Sequence, residues 1–209
     1  MLVDLAQIVK TLTEFNIHVK GVLHIGAHEC EEKPFYNNLL QIPDNKIIWV
    51  DGNRKKVEEM TNRGFSVYQA VLDETEREVQ FNITNNAQAC SLLELNHEKG
   101  FYQDIHIVEK QTATTEKLST FMSRIGKDAK DYNFWNLDIQ GSELGVLRGS
   151  QELLSECDAI YTEINRDSVY KNCGLIGDID VLLANYGFER VITMWTDLQW
   201  GDALYVKRK

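Results

Sequence analysis

Gly21-Val22-Leu23-His24-Ile25-Gly26-Ala27 is a short apolar run that stops at a glycine turn, the pattern of a buried parallel strand entering a tight loop. Two further runs follow, Lys46 to Val50 closed by Asp51 and Phe65 to Val71. Between them lie a helical segment at 31–41 and a polar helix that Asn53 caps, that continues to Arg63 and that Gly64 stops. Strand, helix, strand, helix, strand over about fifty residues is the rhythm of a parallel sheet with right-handed crossovers. The fold class is therefore α/β.

Upstream, Leu5, Ile8, Val9, Leu12 and Phe15 recur at helical spacing, which predicts a helix over 3–16 with one buried stripe. Downstream, Val79, Phe81 and Ile83 alternate as in a half-buried strand, and 84–100 reads as a long polar loop of the kind that carries function. A strand near 105–108, a helix over 115–125, a strand over 134–139, a helix over 142–154 and a strand over 159–164 resume the rhythm. A helix over 178–186 ends at Gly187, and strands over 188–194 and 203–206 flank a Trp-rich connection from Trp195 to Trp200.

The chain has 209 residues, 22 Lys+Arg against 32 Asp+Glu, a net charge of −10, 43% apolar residues and 2 prolines. This fits one domain over 1–209, with a helical extension over 1–19 and a core over 20–206. The negative balance and the lack of a Lys/Arg run argue against a nucleic-acid partner. No apolar stretch approaches the roughly 20 residues of a membrane span, and no signal peptide is read at the N-terminus. Cys30, Cys90, Cys157 and Cys173 are scattered without a C-x-x-C pair, as expected of reduced thiols in the cytoplasm. Asn82-Ile83-Thr84, a glycosylation triplet, is then expected to stay unmodified.

In open α/β sheets ligands sit beyond the carboxyl ends of the strands. After the first strand, Gly26 and Ala27 allow close approach to the backbone, and His28 follows. After the second, Asp51 is placed to accept from a ribose diol. After the third, Ala70, Val71 and Leu72 offer an apolar bed for a base beside the acidic Asp73. These groups describe a nucleoside cofactor. The G-x-G-x-x-G fingerprint is absent, since His28 and Glu31 occupy the later glycine positions, so a pyrophosphate would meet side chains and carboxylates. S-adenosylmethionine, a sulfonium with an ammonium group and no phosphate, suits such an acidic pocket better than NAD. A large side chain at position 26 is expected to block the pocket and leave the fold standing.

The fourth strand runs into Leu137-Asp138-Ile139-Gln140-Gly141-Ser142-Glu143-Leu144-Gly145-Val146-Leu147-Arg148-Gly149, and the fifth ends in Thr162-Glu163-Ile164-Asn165. This segment resembles the hallmark I-D-x-[EQ]-G-x-E-x-x-V-L-x-G of the FkbM family of S-adenosylmethionine-dependent O-methyltransferases. The Gly26-Ala27 turn, the Ala70–Asp73 stretch and the Glu163 strand end match in order and spacing, so the resemblance spans roughly 20–206. It implies a Rossmann-like class I methyltransferase fold: a seven-stranded, mostly parallel sheet with helices on both faces. It also implies transfer to a sugar hydroxyl in a glycan or glycosylated metabolite. The chain departs from the family's Asp-x-Gly-Ala-Asn-x-Gly loop, with His24, His28 and Cys30 at the first, fifth and seventh positions, and has Asp51-Gly52 where Glu-Pro is usual. A Gly-Ala-His-x-x-Glu-Glu loop and a terminal Trp200-Gly201-Asp202 suggest a subgroup with its own acceptor.

Methyl transfer is an in-line displacement, so the protein positions the reactants and helps remove the hydroxyl proton. Asp138, Glu163 and His28 are the candidate catalytic groups; Gly26, Ala27, His28, Asp51, Ala70, Val71 and Asp138 are the candidate cofactor contacts. Gln140, Asn165 and Trp200 are candidate acceptor contacts. Asp138, Glu163 and Asn165 also resemble a carboxylate, carboxylate, amide set that holds magnesium in other O-methyltransferases. Without a metal, Asp138 binds the cofactor's ammonium and Glu163 or a histidine, His28 or His97, takes the proton. Glu143 reads equally as the first-turn acid of a helix. Asn85, Asn86, Gln88 and Ser91 suit sugar hydroxyls, and Trp195, Trp200 and Tyr170 suit a pyranose face. Two other readings stay open: a catalytically silent cofactor-binding partner subunit, for which loss of the acidic strand ends is expected, and an NAD-binding Rossmann protein. No oligomeric state is fixed by the sequence.

Overall fold

The computed structural model describes residues 1–208. Its main sheet has seven strands in the order β3-β2-β1-β7-β8-β10-β9. These are β1 (Val22–Ile25), β2 (Ile47–Asp51), β3 (Val67–Gln69), β7 (Phe134–Leu137), β8 (Ala159–Asn165), β9 (Phe188–Trp195) and β10 (Trp200–Lys207). The first five pair in parallel, and β10 runs antiparallel to both β8 and β9. The expected α/β fold with a seven-stranded, mostly parallel sheet is what forms. From β1 the chain builds outward to β2 and β3, then returns to add β7 on the other side of β1. The β1–β7 boundary is thus the switch point.

Both faces of the sheet are covered, and strand periodicity divides the residues between them. Leu23, Ile25, Ile48, Val50, Trp135, Leu137 and Ile160 face a core closed by the helices α3 (Leu118–Arg124), α4 (Glu143–Gly149) and α5 (Ile176–Ala184). Val22, Ile47, Trp49, Phe134 and Tyr161 face the other, closed by α1 (Leu5–Glu14) and α2 (Arg54–Asn62). Burying each such side chain contributes roughly 1.5–3 kcal/mol. Asp4 caps α1 by accepting from the Ala6 and Gln7 amides, and Asn53 caps α2 through Lys55 and Lys56, as its sequence signals.

Several elements differ from expectation. The helix expected over 31–41 shrinks to one widened turn, Phe35–Leu39, in which the Leu40 amide donates to the Phe35 carbonyl five residues back at 3.2 Å. That turn seats Tyr36 in the sheet face, where its hydroxyl lies 3.0 Å from His24 Nδ1 and accepts from Asn136 Nδ2 at 2.7 Å. The strand expected over 65–71 breaks at Ala70, whose amide is drawn to the Asp51 carbonyl. The chain resumes as β4 (Val71–Leu72) in a second sheet with β5 (Glu78–Thr84) and β6 (Ile107–Glu116). β6 reaches much further than the expected 105–108, because its Thr-rich half pairs with β5 from Thr114 to Ile107, and it takes over the start of the expected helix where Thr115 and Glu116 pair with β4. The strand expected over 203–206 extends to Trp200, leaving a short hairpin between β9 and β10.

The junction that matters most is where β1 leaves the sheet. Gly26 has φ +98, and a Cβ built on it would lie 1.7 Å from the Asp138 carbonyl oxygen. A side chain here would therefore collide with the end of β7 as well as with any ligand, so the expectation that the fold would tolerate it is corrected. Gly64, with φ +91 and open space around it, carries the backbone strain without the collision. Gly64→Ala should cost about 1 kcal/mol and Gly26→Ala at least about 2 kcal/mol more, read from urea unfolding midpoints at a common slope. Equal costs would contradict the close β1–β7 approach.

Candidate active site

A cavity of about 500 Å³ opens at the carboxyl ends of β1, β2, β7 and β8, over the switch point, where open α/β sheets place their ligands. At the end near β2, Val50, Ala70, Val71, Leu72, Phe81 and Ile139 form an apolar slot beside Asp51. Loop residues Asn86, Gln88 and Cys90 close it from above, which absorbs part of the long polar segment. Asp51 ties two loops together, accepting from the His28 amide at 2.8 Å and the Asn53 amide at 2.7 Å. Burial pushes its carboxyl above the ordinary range. Each oxygen keeps a lone pair, so a diol can still bond to it. Asp73 faces away, accepting from Arg77, and is absent from the wall.

At β1, His28 sits at φ +40 with its ring nitrogen 2.8 Å from Glu31. His24, which replaces the family's usual acid, lines the cavity floor. It is 2% exposed, and burial lowers its pKa to about 4, so the imidazole is neutral at pH 7. The Glu32 carboxylate approaches it to 3.9 Å.

The other end of the cavity belongs to β7, β8 and β10. Gln140, held at φ +59, donates from Nε2 to Asp138 Oδ1 and to Glu163 Oε2, each at 2.8 Å, and accepts from the Tyr170 hydroxyl at 2.7 Å. The turn carrying it is fixed by Glu143, which accepts from the Ile139 and Gly141 amides at 2.9 and 3.2 Å. Glu163 stands opposite Asp202 across the β8–β10 pair. Asp202 accepts from the Leu2 amide at 2.6 Å and from the Tyr161 hydroxyl. Burial, and then neighbouring carboxylates, raise Glu163 well above the ordinary glutamate range, and burial raises Glu143 to about 7.

Gly26, His28, Asp51, Ala70, Val71, Asp138, Gln140, Glu163 and Trp200 all come to this one cavity, together with Tyr170. Ala27 does not: it is 1% exposed and packs beneath the turn with Phe35 and Tyr36. Asn165 is fully buried and off the wall, with neither amide atom paired. The magnesium reading fits poorly. The Gln140 amide, a donor, lies between the two carboxylates, and no group of three or more His, Cys, Asp or Glu among the described residues is placed to hold a metal. His97 lies on an outer loop and Trp195 stacks under the Arg166 guanidinium, both away from the wall. Asp202, Glu32, Phe81 and Tyr102 are additions; of these only the Trp200-Gly201-Asp202 run had a signal in the sequence.

A Rossmann-like α/β sheet with an acidic, partly apolar cavity at its switch point defines the class. The profile of the Methyltransferase FkbM domain matches residues 14–190, and the chain belongs to that family. Among solved structures it is similar to an FkbM methyltransferase from Methylobacillus flagellatus, with TM-score 0.52 and 16% identity over 90% of this chain and 44% of that one. A similarity of TM-score 0.49 and 8% identity links it to an S-adenosylmethionine-dependent methyltransferase from Clostridium acetobutylicum, over 100% of this chain and 94% of the other. The chain thus spans less than half the length of the Methylobacillus protein. No curated protein sequence matches it. Among the described residues no helix is long and apolar enough to cross a membrane.

The raised carboxyls set a pH dependence of stability. Above the unfolded value of 4.5, an unfolded Glu143 releases its proton while the folded one keeps it until about 7. The native state then binds more protons, so this group's contribution to stability falls as pH rises from 4.5 to about 7. Glu143→Gln removes the effect and keeps an acceptor for both amides. Its stability relative to the unsubstituted protein should improve by on the order of 2–3 kcal/mol across that window in urea titrations. A pH-independent difference would contradict the assignment.

Proposed function

We propose that this chain is an S-adenosylmethionine-dependent O-methyltransferase that acts on a hydroxyl of a sugar, in a glycan or glycosylated metabolite. The observation that carries the reading is the division of one cavity. An apolar slot beside Asp51 lies at one end and the Asp138-Gln140-Glu163 cluster at the other, and no Lys or Arg lines either. The slot and Asp51 suit an adenosine. The lack of a lining Lys or Arg and of a glycine-rich cradle disfavours the pyrophosphate of NAD.

S-adenosylmethionine, when bound, supplies an electrophilic methyl group and a positive charge that favours ionised carboxylates around it. Asp51 accepts from the ribose hydroxyls while its backbone partners hold it still. Val50, Ala70, Val71 and Phe81 exclude water from the base. Asp138 and Gln140 orient the acceptor. Glu163, whose raised pKa matches it to a weakly acidic hydroxyl better than an ordinary carboxylate would be, takes the proton. Tyr170 and Trp200 offer faces for a pyranose ring.

Calorimetry should give heat with S-adenosylhomocysteine and none with NAD; heat with NAD alone would overturn the reading. With labelled cofactor and a panel of methyl glycosides, Glu163→Gln should lower methyl transfer on the order of 100-fold while S-adenosylhomocysteine binding changes less than about threefold. Near-normal turnover in that variant would move the base to another residue. Binding of the cofactor with no transfer to any sugar would favour the silent partner subunit.

A further inference from the structure

The charge on the cavity wall does more than disfavour a pyrophosphate. Six carboxylates line it, Glu31, Glu32, Asp51, Asp138, Glu163 and Asp202, and no lining residue among those described is Lys or Arg; the chain's own cation there is the Met1 ammonium, 3.7 Å from Glu32. The cofactor of the proposed reaction carries one net positive charge. With Glu32 paired to the Met1 ammonium, Glu31 engaged by His28 and Asp51 held by two amides, the carboxylates at the end formed by β7, β8 and β10 still have no Lys or Arg beside them on the wall. Burial there removes the water that would screen their charge: Asp202 is 5% exposed and Glu163 4%.

Two further features of the same end point to a ligand. Ser142 is nine-tenths buried and lines the cavity, with no protein partner for its hydroxyl; the Trp200 indole N–H, also buried, lacks one as well. Such groups await a bonding partner from outside the chain. In addition, the rings of Tyr102, Tyr170 and Trp200 belong to one packed cluster and all reach the wall beside Glu163. Aromatic faces combined with carboxylates form the chemistry that recognises an ammonium group.

We infer that the acceptor is an amine-bearing sugar, whose protonated amino group sits among Asp138, Glu163, Asp202 and the Tyr102, Tyr170 and Trp200 rings. Phosphorylated and uronate sugars are rejected by the same wall. This inference rests on the methyltransferase reading and names its acceptor class. The amine adds the positive charge that the cofactor leaves unmatched, and its hydroxyl neighbours give Ser142 and Trp200 their partners.

Ligand-observed NMR titrations of the protein saturated with S-adenosylhomocysteine provide the test. Four probes are compared: the methyl glycosides of glucosamine, glucose, N-acetylglucosamine and glucuronic acid. The pH is held near about 6.5, below the roughly 7.7 of an α-type amine. The amine is expected to bind at least fivefold more tightly than the glucose and N-acetyl forms, with the uronate weakest. Asp202→Asn, checked for a native circular dichroism spectrum, should shrink that preference. A preference under fivefold, or tighter binding of the neutral or acidic probe, overturns the inference and leaves the methyltransferase reading standing. Failure to bind S-adenosylhomocysteine overturns that reading and the inference with it.

Discussion

The contact between Gly26 and the Asp138 carbonyl is the constraint on which the rest depends. β1 and β7 pair in parallel up to Ile25 and Leu137, and the Asp138 amide still donates to Ile25 at 2.9 Å. Beyond that bond the two chains must part, and only a residue without a Cβ lets them do so at this separation. Because they part here, the cavity opens at the switch point, with the β1 loop on one side and the Asp138–Glu143 turn on the other. Beneath it, the His24–Tyr36–Asn136 network keeps a polar patch of the sheet satisfied inside an otherwise apolar face.

The site is an electrostatic arrangement before it is a chemical one. Asp138, Glu163 and Asp202 stand on adjacent strand ends because β8 lies between β7 and β10. Like charges at this spacing are costly where two of them, Glu163 and Asp202, are buried; the Gln140 amide bridges Asp138 and Glu163, Tyr161 and the Leu2 amide bond Asp202, and burial with the neighbouring carboxylates raises the Glu163 pKa. A site that holds negative charge at such expense is suited to ligands that bring positive charge.

Much of this was legible in the sequence. Short apolar runs, stopped by Gly26 after the first and by Asp51 after the second, located β1, β2, β7 and β8, since buried parallel strands are short, apolar and sharply ended. Asp51, Asp138 and Glu163 were legible because strand-end position is itself a signal. What escaped was set by partners distant in sequence. β6 was expected only near 105–108, yet pairing with β5 extends it to Thr114 and pairing with β4 carries it on to Glu116. Tyr36 and Phe35 read as helix, but insertion of the Tyr36 hydroxyl between His24 and Asn136 accompanies the widened turn. Ala27 and Asn165 sit beside true wall residues and face the packing, a one-residue difference in strand and turn parity that composition does not reveal. The Trp200-Gly201-Asp202 run stood out in the sequence, but the place of Asp202 opposite Glu163 comes from antiparallel pairing of β10 with β8.

The structure of the complex with S-adenosylhomocysteine tests the central claim most directly. The account predicts adenine in the slot of Val50, Ala70, Val71 and Phe81, ribose oxygens within hydrogen-bond distance of Asp51, and the sulfur facing Asp138 and Glu163. An adenosine bound outside that slot, or a sulfur directed away from both carboxylates, would contradict it.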